Sequence, residues 1–176
     1  MVAVLDLPRD AWADHPNYPH NLLLVRSHAS FRELSSTLLR RAEAGGDPVG
    51  IVAVFAMWKS AMRGHERYEE GKLYPYLAHR WGIDPGSMSA GHTELHVEDQ
   101  RVRAAVDTGQ DAFVGALRRH HEVLLDHLAH EEAVVIPALL SLSREEFDSY
   151  LHHDLRWLRA QHPAAPDETE GSPDAS

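Results

Sequence analysis

Two eleven-residue stretches of the chain share one frame. HERYEEGKLYP begins at His65 and HLAHEEAVVIP at His127; both read H-x-x-x-E-E-x-x-x-x-P, 62 residues apart. Residues four apart on an α-helix lie on one face. Each block therefore sets an imidazole and a carboxylate side by side, one turn apart. A buried ionised carboxylate is costly unless it is paired or bound to a metal. A chain that hides two such blocks needs helices that turn them toward a common partner.

The rest of the sequence supplies those helices. Apolar residues recur at helical spacing over long stretches, and β-branched alternation is scarce. Pro and Gly punctuate the pattern at DHPNYPHN, AGGDPVG, WGIDPGSMS and DTGQ. The spacing predicts helices over 20–43, 48–79, 87–106 and 111–140. Pro48 suits a first turn, and Pro75 is expected to kink the second helix or end its regular part. Ser143 and Glu146 form a capping-box pattern that opens a short fifth helix to about residue 159. The expected fold is all-α: an antiparallel up-down four-helix bundle with an extra short C-terminal helix. The domain reading is an N-terminal arm at 1–19, the bundle at 20–142, the C-terminal helix at 143–160 and a disordered acidic tail at 161–176.

Fourteen of 176 residues are histidine, and they are spread along the chain rather than gathered in a tag. Projection onto helix faces places Leu24, His28, Phe31 and Leu38 on one stripe of the first helix, and Trp58, Ala61, His65, Glu69 and Tyr76 on one of the second. His92, Leu95, His96, Val102 and Val106 line up on the third, and Leu117, His120, Leu124, His127, Glu131 and Val134 on the fourth. A lone histidine on an apolar face is ordinarily a core residue with a hydrogen-bond partner, and that reading fits His28 by itself. Two His/Glu pairs and an i, i+4 His pair together point to internal metal ligation. The inward set is His28, His65, Glu69, His92, His96, His127 and Glu131. Glu70 and Glu132 sit about 100° off the inward direction, either solvated or placed to orient a ligating imidazole. His15, His79, His121, His152, His153 and His162 read as surface or tail residues.

Seven ligands exceed the needs of one tetrahedral zinc and suit two metals that share carboxylates. Imidazole plus carboxylate without thiolate favours iron, with manganese or zinc possible. The chain has no cysteine, which excludes disulfides and thiolate-held clusters. The E-x-x-H spacing of ferritin-like bundles and the H-E-x-x-H of zinc proteases are both absent. A formal net charge of -10 argues against nucleic acid or an anionic membrane as partner. Apolar runs are too short to span a bilayer, and MVAVLDLPRDAW carries no cleavable signal pattern; a cytoplasmic protein is expected.

With those residues in place, the chain resembles the hemerythrin-like (HHE cation-binding) family over roughly residues 20–140. His28 in SHASFREL, His65 and Glu69 in HERYE, His92 and His96 in HTELH, and His127 with Glu131 in HLAHE follow the family order. Oxygen carriers of the family place an aspartate five residues after the last histidine. Here that offset is Glu132, and Glu131, at the four-residue offset, is taken as the ligand because it stays on the stripe. The resemblance implies a non-haem di-iron centre, oxo- or hydroxo-bridged, that binds and reacts with dioxygen, in oxygen or nitric oxide binding, sensing or iron handling ahead of a dedicated enzyme. Its partners would be dioxygen or another small diatomic or peroxide, with a small-molecule substrate if the protein is an oxidase, oxygenase or peroxide-decomposing enzyme. Leu24, Phe31, Trp58, Leu95 and Leu124 are candidate pocket walls. His120, two turns from His127, is a candidate proton relay. Tyr68, Tyr74 and Tyr76 are read as core or redox-active. A monomer or homodimer is expected.

Overall fold

Helix signals and breakers in the sequence become a bundle of four rods in the computed structural model, which describes residues 4–18 and 22–164. The rods are α1 (Leu22–Glu43), α2 (Pro48–Tyr68) continued by α3 (Tyr74–Trp81), α4 (Gly86–Ala104) and α5 (Gln110–Leu140). Each packs antiparallel to its neighbours, α5 against both α1 and α4. The described residues form no strand, so the expected all-α antiparallel bundle is the observed one. No helix among them is long and apolar enough to cross a membrane.

Local chemistry sets the ends. Asp47 caps α2 by accepting from the backbone N–H of Val49 and Gly50, with Pro48 in the first turn. Gly82 ends α3 at φ 69°, a left-handed conformation that costs glycine little. The second rod does not end at Pro75. It opens into a π-helical turn at Glu69–Leu73 and then resumes as α3. Pro75 has no N–H to give the preceding turn, and Gly71 lies inside the widened stretch. The matching Pro137 is enclosed in the uninterrupted α5, where Ala133 stands in place of Gly71. The two repeated blocks thus share residue types but not backbone.

The expected fifth helix is two helices, α6 (Arg144–His152) and α7 (Leu155–Gln161), broken where Asp154 starts a new N-cap. The Ser143–Glu146 capping box is formed on both sides. Both helices fold back on α3: Glu146 accepts from Arg80 at 2.8 Å, and Tyr150 packs on Tyr76 at 5.1 Å between ring centres. His162, read from sequence as a surface or tail residue, is 7% exposed and lies 2.5 Å from the Tyr76 hydroxyl; the fold of α7 carries it inward. Residues 165–176, most of the expected disordered tail, fall outside the described residues. The described part of the N-terminal arm, residues 4–18, is also docked. A short 3-10 turn, Arg9–Asp14, buries Trp12 against Ile136 and Leu140.

Two apolar clusters fill the bundle. One holds Phe31, Leu38, Ile51, Phe55, Leu117 and Leu124 toward one end. The other holds Tyr74, Tyr76, Leu77, Val135, Phe147 and Tyr150 toward the end closed by α6 and α7. A buried layer of histidine and glutamate separates them along the chain positions of all four rods.

Candidate metal centre

Four rods each turn a polar side chain into this layer. His28, on α1, is fully buried, as are Glu69 at the π turn and Glu131 on α5. Ligand atoms of His28, His65, Glu69 and Glu131 all lie within 4.8 Å of one another. His28 Nε2 stands 2.9 Å from His65 Nε2, and His65 Nε2 stands 2.6 Å from Glu69 Oε1. The other carboxylate oxygen, Glu69 Oε2, faces His92 Nε2 at 3.4 Å. Glu131 Oε2 lies between His28 Nε2 at 3.5 Å and His127 Nε2 at 3.8 Å, and the His92 and His127 rings are 4.7 Å apart. The arrangement has two ends, His28 with His65 and His92 with His127, and two carboxylates between them.

The second glutamate of each block explains how the imidazoles are aimed. Glu132 Oε1 accepts from His28 Nδ1 at 3.0 Å, and Glu70 Oε1 from His92 Nδ1 at 2.9 Å. Each takes the ring proton on the outer nitrogen and leaves the Nε2 lone pair pointing inward. Glu132 is itself held by Arg32 at 2.7 Å and Arg9 at 2.9 Å. So H-x-x-x-E-E works as one device in both places: the first glutamate faces the layer, and the second orients a histidine on the adjacent rod.

These donors fit a cation. Glu69 Oε1 and Oε2, Glu131 Oε2 and His92 Nε2 are buried, yet none takes part in a well-formed hydrogen bond. Lone pairs converge on lone pairs, which is stable only with positive charge among them. In the cation's absence protons supply it. Burial alone would push His28 and His92 down, but the carboxylates of Glu132 and Glu69 around the first and of Glu69 and Glu70 around the second outweigh it and raise both to about 9. His127 is driven the other way, to about 3, by burial and by the charge of His92. Burial opposes ionisation of Glu69, but contacts with His28, His65 and His92 hold it well below the usual carboxylate range. Glu131 is pushed up by burial and by the charge of Glu69. One carboxylate thus stays charged while its neighbour is driven toward the neutral form.

Two expected site residues stand elsewhere. His96 Nε2 bonds Glu66 Oε2 at 2.9 Å, with 45% of its side chain exposed. The inward stripe of α4 runs through Met88, His92, Leu95, Asp99 and Val102, which leaves His96 on its edge and a turn further along the axis. His120 is buried against Phe55 and Trp58, with Nε2 3.2 Å from Asp99 Oδ1. Asp99 also pairs with buried Lys59. Burial and the Lys59 charge hold His120 down at about 4.

Other residues matter that the stripes did not single out. Tyr74 donates its hydroxyl to Glu131 Oε1 at 3.0 Å and stacks on His92. A Cβ at Gly91 would collide with the His127 ring, so glycine makes room for that imidazole. Arg9, from the arm, reaches Glu132. Of these, the sequence singled out Tyr74 alone, as core or redox-active; the roles of Gly91 and Arg9 depend on packing. Phe31 meets the His65 ring edge-on at 5.2 Å and with Trp58 forms an apolar wall.

The family model described as the hemerythrin HHE cation binding domain matches residues 22–139. No curated protein and no solved structure matches the chain.

Proposed function

Since the chain belongs to the hemerythrin HHE cation-binding family, we propose that His28, His65, Glu69, His92, His127 and Glu131 hold two iron ions, and that the protein binds and reacts with dioxygen or a similar diatomic. The observation that carries the reading is the Glu69 carboxylate, with one oxygen toward the His28/His65 end and the other toward His92. That is the posture of a bridging ligand. Four imidazoles and two carboxylates without thiolate suit iron; manganese or zinc fits the same donors. Bound iron would supply reversible one-electron chemistry and open coordination positions.

The chain's own residues do the rest. Glu132 and Glu70 hold two imidazoles in the ligating tautomer. Tyr74 fixes Glu131 by its hydrogen bond. Phe31, Trp58 and Leu95 keep bulk water off one side. A second reading, an oxidase, oxygenase or peroxide-decomposing enzyme, is favoured by the placement of His96: six donors for two cations leave more open positions than seven.

Metal analysis combined with optical spectra of the reduced protein before and after air tests both. Two irons per chain and a charge-transfer band that reverses on deoxygenation support binding. Irreversible oxidation with rapid peroxide consumption supports the enzyme. Fewer than two metals per chain under iron-replete conditions overturns the dinuclear centre.

A further inference from the structure

A cavity of about 450 Å³ opens between α1, the π turn, α5 and α6, and the His65 ring forms part of its wall. Its size is that of a small-molecule site, roughly 300–1,000 Å³. His65, at 15% side-chain exposure, is the most exposed of the six clustered residues. The walls are mainly apolar, from Leu24, Leu73, Leu139 and Leu151.

Beside Ser27 and His65, the polar groups Lys72, Tyr68 and Tyr150 bring donors to the lining. Lys72 Nζ donates to the backbone carbonyl of Tyr150 at 2.7 Å and lies over the Tyr150 ring. That bond uses one of three N–H groups; no carboxylate lines the cavity among the described residues, and Asp154, which lines a neighbouring hollow with Lys72, offsets its charge in part. The hydroxyls of Tyr68 and Tyr150 are 2.6 Å apart. One must donate to the other, so the pair keeps one further O–H proton. A cation and a spare phenolic donor at the rim of an apolar cavity complement an anion with an apolar body. Lys72 stands seven residues past His65 across the π turn, at most about 10 Å along the helix axis, a span that an extended medium-chain carboxylate covers.

We infer that this cavity binds an apolar monocarboxylate, its carboxylate on Lys72 and the Tyr68–Tyr150 pair and its apolar end against His65. The π turn is what places Lys72 and Leu73 in the wall, and α6 supplies the roof. The inference deepens the proposed function, because such an occupant would lie beside the metal ligands, but binding itself does not depend on which metal is held.

The test is calorimetric titration of the full chain, with its metal, by sodium octanoate, alongside metal quantitation on the same sample. One-to-one saturable binding is expected. Lys72→Met weakens it about tenfold through loss of a charge-assisted contact, and Lys72→Arg retains most of it. Uncharged 1-octanol, tested on the unaltered chain, binds about tenfold more weakly as well. Absence of saturation, equal binding of octanol and octanoate, or unchanged binding by Lys72→Met overturns the inference. A sample that carries two metals and fails to bind octanoate overturns this inference alone; one that binds octanoate yet carries fewer than two metals per chain under iron-replete conditions overturns the dinuclear reading alone.

Discussion

At the scale of single residues, the clustered atoms differ in how far they can be replaced. Glu69 and Glu131 are fully buried between the two imidazole pairs, so alanine at both is expected to abolish dinuclear loading. Metal stoichiometry measures it, and two metals per chain in the double variant would refute the bridging role. Glu132 acts one step away. Glu132→Gln keeps the shape but gives up the charge that holds His28 Nδ1 and both arginines; metal affinity is expected to fall about 10–100-fold, read by competition with a chelator. Gly91→Ala is expected to lower loading by displacing His127, whereas His96→Ala, at a partly exposed site bonded to Glu66, leaves two metals in place.

At the scale of elements, the two blocks show how one pattern yields two backbones. Both carry proline ten residues after histidine, yet only the Gly71-containing block widens into a π turn. That turn carries Lys72 and Leu73 into the cavity wall and brings Tyr74 onto Glu131. Helix α6 depends on its N-cap. Ser143→Ala removes the side-chain half of the capping box and is expected to cost about 1 kcal/mol, measured by urea denaturation. Because α6 roofs the cavity, its loosening would also weaken ligand retention there.

At the scale of the whole molecule, the bundle encloses a polar layer between two apolar clusters, and its pH response follows. In metal-free protein His28 and His92 are raised from 6.5 to about 9. The stability they contribute is complete below 6.5 and is lost as pH climbs through about 9. Glu132, lowered from 4.5 to about 2 by His28 and Arg32 against the cost of its burial, contributes stability above 4.5 that is lost toward about 2. The melting temperature of chelator-treated protein is therefore expected to fall between pH 6.5 and 9. Metal must displace the same protons, so metal affinity is expected to rise across that window. Opposite slopes in thermal melts and metal titrations check the sign; a flat melting profile over pH 6.5–9 would refute it. Saturating metal is expected to raise stability by about 4 kcal/mol at a thousandfold excess over its dissociation constant.

Much of this was legible in the sequence because a helix imposes its own arithmetic. Apolar spacing marks the rods, Pro48 and Ser143 mark their starts, and the H-x-x-x-E interval puts His65 with Glu69 and His127 with Glu131 on one face, whatever surrounds them. Periodicity defines direction only about a helix's own axis. Whether His96 or Asp99 looks inward, whether Glu132 meets His28, and whether Arg9, Tyr74 or Lys72 lies near the layer depend on how the rods are rotated and offset against one another. Those rotations are set by packing across the bundle and by the π turn. They couple residues as far apart as Arg9 and Glu132, which no local pattern relates.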